Sequence, residues 1–255
     1  MNEVVNMNLH YVVPLVLHKI VRDENLNWED IKEKQLLKIL EFIEHRLAGF
    51  CSDVCIRDPR WMLTFDDGNI SDYEIVFPLL MEKNIKATFF VIVDKIGAAG
   101  YVGWQHIREM HQSGMFIGSH SSSHRLMTSL SQEEAIREFS DSKKILEDYL
   151  GEPISSFSYP FGDCSSELHR LGFDSGYLYL FTSKHGVLSG SMNIIPRNSI
   201  NSSMGWDEIV KIMNPSIRTR CEWFLEDFIK ACIKSFLGRE KYMSMRNGVI
   251  NTNKK

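Results

Sequence analysis

The fold can be predicted from one stretch, RWMLTFDDGNISDYEIVFPLLMEKNIKATFFVIV, residues 60–93. Its pattern predicts an apolar strand over residues 60–65, a helix over 74–83 that tolerates Pro78, and a second strand over 87–93. The second strand is rich in β-branched and aromatic residues without polar alternation, which is typical of a strand buried on both faces. Such a unit predicts a parallel sheet.

The alternation of strands and helices continues on both sides of this unit. We predict a strand over residues 12–17 and a helix over 28–48 before it, and after it a helix, a strand, a helix and a strand over 104–113, 115–118, 131–150 and 156–159. Ser131 followed by two glutamates is a capping signature for the long helix. The chain is therefore expected to form one α/β domain with a parallel sheet, open or closed into a barrel.

Composition excludes several classes of protein. A chain of 255 residues with 44% hydrophobic content is long enough for one large core. The net charge of −4 provides no sequence-wide basic field, so nucleic acid is not an expected partner. The cysteines are odd in number and scattered, which favours a reduced, cytoplasmic location. The apolar run over residues 11–17 lacks a basic leader and is too short to span a membrane, so we expect a buried strand.

Two adjacent carboxylates end the strand over residues 60–65, in the string TFDDG. By itself, Asp-Asp-Gly is commonly a turn. On an extended segment, however, neighbouring side chains point in opposite directions, so Asp66 and Asp67 can take different tasks. One carboxylate then binds a metal ion and the other accepts a proton.

Two imidazoles four residues apart, in the string GSHSSSH, follow the strand predicted over residues 115–118. On a helical turn His120 and His124 would share one face and grip one divalent ion, although such a pair alone is also common on surfaces and in cores. Asp67 offers a third ligand, and a set of two histidines and one carboxylate leaves positions open for water and substrate. These ligands suit zinc, and also cobalt, nickel, manganese or iron.

A third string, FSYPFGD over residues 157–163, would alone be a strand and a turn. In combination with the other two strings it offers the backbone N–H of Phe161 to stabilise a tetrahedral oxyanion.

The three strings, in this order, resemble the first three motifs of the polysaccharide deacetylase family, whose catalytic region is called the NodB homology domain and defines the family 4 carbohydrate esterases. The resemblance covers residues 13–200. It implies a distorted (β/α)7-type barrel, a divalent metal held by Asp67, His120 and His124, Asp66 as the catalytic base, and the Phe161 N–H in the oxyanion hole.

Two departures from the family pattern bear on the site. Many relatives have an arginine at the start of the third motif, where this chain has Ser158, and a Leu-x-x-His near the C-terminus that supplies the general acid. Residues 15–18 form a Leu-x-x-His at the other end of the chain, as in circularly permuted members that act on exopolysaccharides, so His18 is the expected general acid. Arg197 resembles an arginine of such members that orients the base. The alternatives are a strand-end histidine and a solvated arginine after a proline.

The function implied is a metal-dependent hydrolase that removes N-acetyl groups from an amino sugar in a polysaccharide or glycan precursor. The partner is then a carbohydrate substrate. The same groups would serve a carbohydrate O-acetyl esterase, and the displaced acid also leaves open a carbohydrate-binding protein with a vestigial site.

The chain changes character beyond residue 205. We divide it into a barrel over residues 1–205 and a helical extension with a basic tail over 206–255, in which residues 221–237 form a helix. Trp223, Phe224, Phe228 and Phe236 beside basic residues would suit an amphipathic helix lying on a membrane, and hence a location at its inner face. The simpler expectation is a helix that packs on the barrel.

Overall fold

The computed structural model describes residues 11–22, 29–48 and 61–237, without the side chains of 45–48, 234 and 235. The strands are β1 Val13–Leu17, β2 Ile20–Val21, β3 Ile31–Lys32, β4 Trp61–Phe65, β5 Ala87–Val91, β6 Phe116–Ser119, β7 Ser156–Ser158, β8 Tyr179–Phe181, β9 Ile194–Ile195 and β10 Asn198–Ser199. The α-helices are α1 Glu33–Ala48, α2 Phe77–Glu82, α3 Trp104–Gln112, α4 Gln132–Leu150, α5 Ser166–Asp174, α6 Trp206–Met213 and α7 Ile217–Leu237.

Eight strands form one parallel sheet in the order β10-β1-β4-β5-β6-β7-β8-β9, while β2 and β3 pair separately. The two edge strands, β9 and β10, are joined by Pro196 and Arg197 alone. Three Cα steps of about 3.8 Å place these edges within roughly 11 Å of each other. The sheet therefore curls into an incomplete barrel, which confirms the predicted single α/β domain with a distorted barrel.

The sheet is buried on both faces, as the sequence predicts. All five residues of β1 are buried, and the rings of Phe65 and Phe89, on neighbouring strands, stack at 5.2 Å. Close packing also explains one glycine: a Cβ at Gly118 would lie 2.4 Å from the Phe90 ring. Apolar strands without alternation are stable because helices cover the outside of the barrel.

Most predicted elements are confirmed, with differences at their ends. Ser131 and Glu134 form the capping box of α4. Pro78 lies in the first turn of α2, where its missing N–H does no harm, and a π-helical turn over Asp72–Val76 precedes it. The helix predicted from residue 28 begins at Glu33, after β3, and residue 28 itself lies outside the described residues. The helix predicted from residue 221 begins four residues earlier, at Ile217.

The helices after residue 205 contact the barrel. Ile209 and Met213 of α6 belong to the main core, and Trp61 Nε1 donates to the Met213 carbonyl at 2.8 Å. On α7, Trp223 is buried and stacks on His185. No helix in the described residues is both long enough and apolar enough to cross a lipid bilayer. The division of the chain at residue 205 stays a prediction.

Candidate active site

The predicted site residues gather at the carboxyl ends of the strands. His18 follows β1, the two aspartates follow β4, His120 follows β6 and Phe161 follows β7. A cleft of about 800 Å³ opens there. Its walls include His18, Asp66, Asp67, His120, His124 and Phe161. The curl of the parallel sheet brings these strand ends together, because all of its strands point the same way.

Three of these side chains form a candidate set of metal ligands. The Asp67 Oδ1 lies 3.4 Å from the Nε2 of His120 and 3.4 Å from the Nε2 of His124, and the three donor atoms lie within 4.8 Å of one another. Two donors about 2.1 Å from one ion, at a tetrahedral angle, are about 3.4 Å apart. The donor set therefore fits a divalent ion, with the open positions that a catalytic site requires.

The chain between the two histidines is a loop, so the predicted helical turn is wrong. Ser121 and His124 have positive φ values of 66° and 59°. These conformations turn the chain back on itself, and the two rings meet at 4.9 Å between centroids without helical spacing. Asp67 also departs from the predicted extended backbone, with φ 79°. The two carboxylates nevertheless have different closest partners: Asp66 pairs with Arg197, with its Oδ2 also 3.9 Å from the Nε2 of His120, whereas Asp67 lies 3.4 Å from both histidines.

Backbone strain is concentrated at this site. The described residues include five non-glycine positions with positive φ, and four of them are Asp67, Ser121, His124 and Phe161. Such conformations cost of order 1–3 kcal/mol each and persist where the surroundings enforce them. At Phe161 the next residue must be glycine, because a Cβ at Gly162 would lie 2.3 Å from the Ser183 side chain. The Phe161 ring lies on His124, with 4.7 Å between centroids.

A hydrogen bond at the Nδ1 of His120 fixes the orientation of its ring. Its Nδ1 lies 2.9 Å from the carbonyl oxygen of Ser158. Because a carbonyl oxygen only accepts, Nδ1 carries the hydrogen and Nε2 keeps its lone pair for a metal ion.

A buried glutamate of α4, Glu138, holds the loop between the two histidines. Its carboxylate accepts the backbone N–H groups of Ser122 and Ser123, both at 2.9 Å, and the Ser123 hydroxyl. The sequence analysis missed this residue. Its signal was available, since Glu138 lies on the apolar face of α4 among Ala135, Phe139 and Ser142, where a carboxylate needs a partner.

Arg197 is fully buried and pairs with Asp66, which excludes the alternative of a solvated arginine. Its Nη1 donates to Asp66 Oδ1 and its Nη2 to Asp66 Oδ2, both at 2.7 Å. The other three N–H groups bond the Thr64 hydroxyl, the Ser158 hydroxyl and the Thr182 carbonyl. All five donors of the guanidinium are thus satisfied, which fixes the orientation of Asp66.

Ser158 stands in the third motif at the position where many relatives have an arginine. Its hydroxyl donates to Asp66 Oδ2 at 3.0 Å and accepts from Arg197 at 2.7 Å. A small side chain at this position leaves room for the guanidinium that arrives from the link between β9 and β10. The cation beside Asp66 therefore comes from a different strand.

Burial and neighbouring charges together shift the pKa values of the site. Burial alone would raise the pKa of Asp66, but the Arg197 and His120 charges hold it well below its usual range. Burial would lower the pKa of His120, but Asp66 and Asp67 raise it. For His124, burial and the charge of His120 prevail and lower the pKa to about 4. Asp66 is therefore ionised at any pH near neutral, and the His124 ring is uncharged.

His18 lies in the cleft, as predicted. It is half-buried and lines the same cavity as Asp66 and Asp67. β1, which leads to it, lies between β10 and β4, so the start of the described chain reaches the site beside the base. Its role as the general acid, and the circular permutation that suggested it, stay predictions.

The comparisons with known proteins agree with this geometry. The family model described as Polysaccharide deacetylase matches residues 53–180, half of the chain. The chain belongs to the polysaccharide deacetylase family. It is 30% identical over 124 residues to a peptidoglycan-N-acetylglucosamine deacetylase of Bacillus cereus, covering 48% of this chain and 56% of that protein. It is also 30% identical over 116 residues to chitin deacetylase 1 of Cryptococcus neoformans, covering 46% of this chain and 24% of that protein.

Solved structures, one of them of a deacetylase, share the fold. A Streptococcus pyogenes deacetylase in complex with acetate superposes with a TM-score of 0.68 at 24% identity, covering 80% of this chain and 99% of that one. A structure from Ammonifex degensii gives 0.64 at 22% identity, covering 80% and 97%. The barrel is thus that of the family. The chain spans about half or less of the curated relatives named above, so the activity of the whole protein is a proposal.

Replacing Glu138 is expected to weaken metal binding. In Glu138→Ala the loop between the histidines loses its three bonds to the carboxylate, and lost supports of this kind typically lower metal affinity about 10- to 100-fold. Titration with zinc measures the effect. Glu133→Ala, an exposed glutamate of the same helix, is the matched control and should bind zinc like the wild type. Equal affinities in the two variants would show that the loop holds its shape without Glu138.

Proposed function

We propose that the protein is a metal-dependent deacetylase that hydrolyses the N-acetyl group of an amino sugar in a polysaccharide or glycan precursor. The observation that supports this most directly is the ligand set of Asp67, His120 and His124 beside a buried, ionised Asp66. The donors lie in an open cleft at the carboxyl ends of the strands. Zinc is the proposed ion, and cobalt, nickel, manganese and iron suit the same ligands.

Each residue has a separate task in the proposed reaction. A divalent ion on the three ligands would polarise the acetyl carbonyl and lower the pKa of a bound water from about 15.7 towards about 7. Asp66, held by Arg197, accepts a proton from the attacking water. The Phe161 N–H donates to the oxyanion. His18 protonates the departing amine, and the products are acetate and a free amino sugar.

The low pKa of Asp66 limits its role. A carboxylate of this acidity is a weak base, so it relies on a water that is already acidic. In return it stays ionised throughout the working pH range, and its negative charge balances Arg197. The loss of activity at low pH should therefore follow protonation of the histidine ligands and not of Asp66.

The proposal is tested by acetate release from a panel of N-acetylated and O-acetylated saccharides. The metal-stripped protein is assayed before and after zinc or cobalt is restored. Metal-dependent release from N-acetylated sugars supports the proposal and begins to name the substrate. Release from esters alone would make the protein a carbohydrate O-acetyl esterase. Tight metal binding without release from any substrate would favour a carbohydrate-binding protein with a vestigial site.

We further propose that α7 holds the enzyme at a lipid surface. Two residues of α7 contact His185 of the barrel: the Trp223 ring stacks on it, and the Asp227 carboxylate is hydrogen-bonded to it. The rest of the helix exposes large apolar side chains, each at least 41% accessible: Ile217, Phe224, Leu225, Phe228, Ile229, Ile233 and Phe236. The sequence that follows contains Arg239, Lys241, Arg246, Lys254 and Lys255, a charge that favours anionic lipids. A cytoplasmic location, at the inner face of the membrane, remains part of this proposal.

Removing two exposed rings should release the protein from lipid. Phe224→Ser with Phe228→Ser deletes apolar area that faces solvent, so co-sedimentation with vesicles containing phosphatidylserine should fall while the melting temperature changes little. Ser replacement of the exposed Glu222 is the control on the same helix. Unchanged co-sedimentation of the double variant would contradict the lipid contact. Self-association that the double variant abolishes without vesicles would assign the face to a second copy of the chain.

A further inference from the structure

Helix α7 forms part of the active-site cleft, although it lies outside residues 53–180, which the family model matches. Four of its residues line the cleft together with the candidate metal ligands: Glu226, Asp227, Lys230 and Ala231. No step of the proposed reaction uses them. The cleft, at about 800 Å³, is near the upper end of the roughly 300–1,000 Å³ range of ligand sites. It therefore has room for more than the one sugar that loses its acetyl group.

Contacts at two levels hold α7 against the barrel. Near the start of the helix, the Arg220 guanidinium lies over the Tyr11 ring at 5.7 Å, just before β1 begins. Farther along, the Asp227 carboxylate accepts the backbone N–H of His185 at 2.9 Å, and the Trp223 ring stacks on the same imidazole. The helix thus runs from the amino end of β1 to the cleft, and its cleft-lining residues form a wall in a fixed place.

The wall is connected to the reaction centre through the loop after β8. The Phe161 ring lies on His124, with 4.7 Å between centroids. The next residue, Gly162, packs so closely on Ser183 that a Cβ would lie 2.3 Å from the Ser183 side chain. Ser183 is two residues before His185, which holds α7. A line of contacts therefore joins the candidate metal site to α7, and this side of the cleft is a place for the sugar next to the reacting one.

The side of α7 that faces the cleft is polar. At about 100° per residue, the four cleft-lining positions fall within an arc of about 140°. The exposed residues Leu225, Ile229 and Phe236 lie on the opposite side of the helix. A helix that served only to cover the barrel would turn most of its large apolar residues inward. In α7 a polar strip faces the cleft instead, which suits a polar ligand.

An ion pair provides the hydrogen-bonding groups of this strip. Lys230 Nζ lies 2.6 Å from Glu226 Oε1. Because both side chains are partly exposed, the pair contributes little to stability, and its ammonium and carboxylate can bond the hydroxyl groups of a sugar instead. Asp227 and Lys184 add one charge of each sign to this side of the cleft. The charges balance, so the strip suits an uncharged sugar.

We propose that Glu226 and Lys230 are specificity-determining residues, which bind the uncharged sugar next to the one that loses its acetyl group. Through them, α7 makes the enzyme prefer a neutral oligosaccharide to a monosaccharide. The inference rests on the proposed function in that the substrate is an N-acetylated glycan.

The test compares chain lengths. The N-acetylated saccharides of the acetate-release panel are assayed as monosaccharides and as tetrasaccharides. The wild type should prefer a tetrasaccharide, and this preference is the ratio of the two kcat/KM values. In the variant with Glu226→Ala and Lys230→Ala the ratio should fall by about tenfold, mostly through a higher KM for the tetrasaccharide. Alanine preserves the helix.

The matched control is the variant with Arg218→Ala and Glu222→Ala. This pair has the same spacing on α7, with 2.9 Å between its charged atoms, but it does not line the cleft. None of the four substituted residues is buried, so both variants should fold. The control should keep the wild-type ratio. An equal ratio in all three proteins, an equal fall in the control, or a wild type without preference would overturn the inference.

Calorimetry with the same tetrasaccharides and the zinc-loaded protein measures binding without turnover. The variant at Glu226 and Lys230 should bind about tenfold more weakly than the wild type and the control. This difference in a protein that releases no acetate from any saccharide would uphold the role of α7 and refute the proposed function. Acetate release with equal affinities would do the reverse, so the two failures are distinguishable. A wild type that binds no tetrasaccharide would also overturn the inference.

Discussion

Asp66→Asn is expected to lower kcat for deacetylation by about 10²- to 10⁴-fold while the protein still binds zinc. The amide keeps the shape of the carboxylate but cannot take a proton from the attacking water. Asp66 is 3% exposed and pairs with Arg197, and it is not one of the three candidate ligands, although its Oδ2 lies 3.9 Å from the Nε2 of His120. Steady-state assays and zinc titration of the same preparation measure the two effects.

The neighbouring carboxylate is the matched comparison. Asp67→Asn should lose zinc affinity and activity together, because Asp67 Oδ1 lies 3.4 Å from both imidazoles. If Asp66→Asn loses zinc binding to the same degree, the two aspartates do not have separate tasks. If Asp66→Asn keeps most of the wild-type kcat, another group is the base.

Arg197→Met should destabilise the protein by about 3–5 kcal/mol, because it leaves a buried carboxylate without its partner. Arg197 is 0% exposed and all five of its N–H donors are bonded. Because the pair is buried, solvent does not screen the loss of the Arg197 charge. Urea unfolding of the metal-free protein measures the free energy of unfolding. Arg170→Met removes one member of an exposed pair, Arg170–Asp174, and should change stability little.

The destabilisation by Arg197→Met should depend on pH. In the wild type the folded pKa of Asp66 lies below its unfolded value, so the pair contributes stability above the unfolded pKa of about 3.9 and loses it as pH falls through the folded pKa. In the variant, unopposed burial raises the folded pKa, so the carboxylate is penalised at neutral pH and relieved on protonation. The difference from wild type should therefore be larger at pH 7.5 than at pH 5, and a difference independent of pH would contradict this account.

Several structural details could not be predicted from the sequence. The spacing of His120 and His124 suggested a helical turn, but positive φ values at Ser121 and His124 form a loop, and Glu138 stabilises it from a helix that begins eight residues beyond His124. Nothing in the local pattern of GSHSSSH encodes that partner. His185 is half-buried and bonded to Asp227, 42 residues away, a partner that the residues around His185 do not reveal.

The parallel sheet and the candidate metal ligands could be predicted from the sequence alone. Runs of apolar residues at 13–17, 61–65 and 87–91 form strands because a strand buried on both faces needs no polar alternation. Asp67, His120 and His124 were recognisable because their chemistry is written in short strings next to strand ends. The residues that surround them depend on contacts between distant parts of the chain. Arg197 reaches Asp66 across 131 residues, because the curl of the sheet brings its edge strands together and the place of each strand in the sheet is not encoded in its own residues.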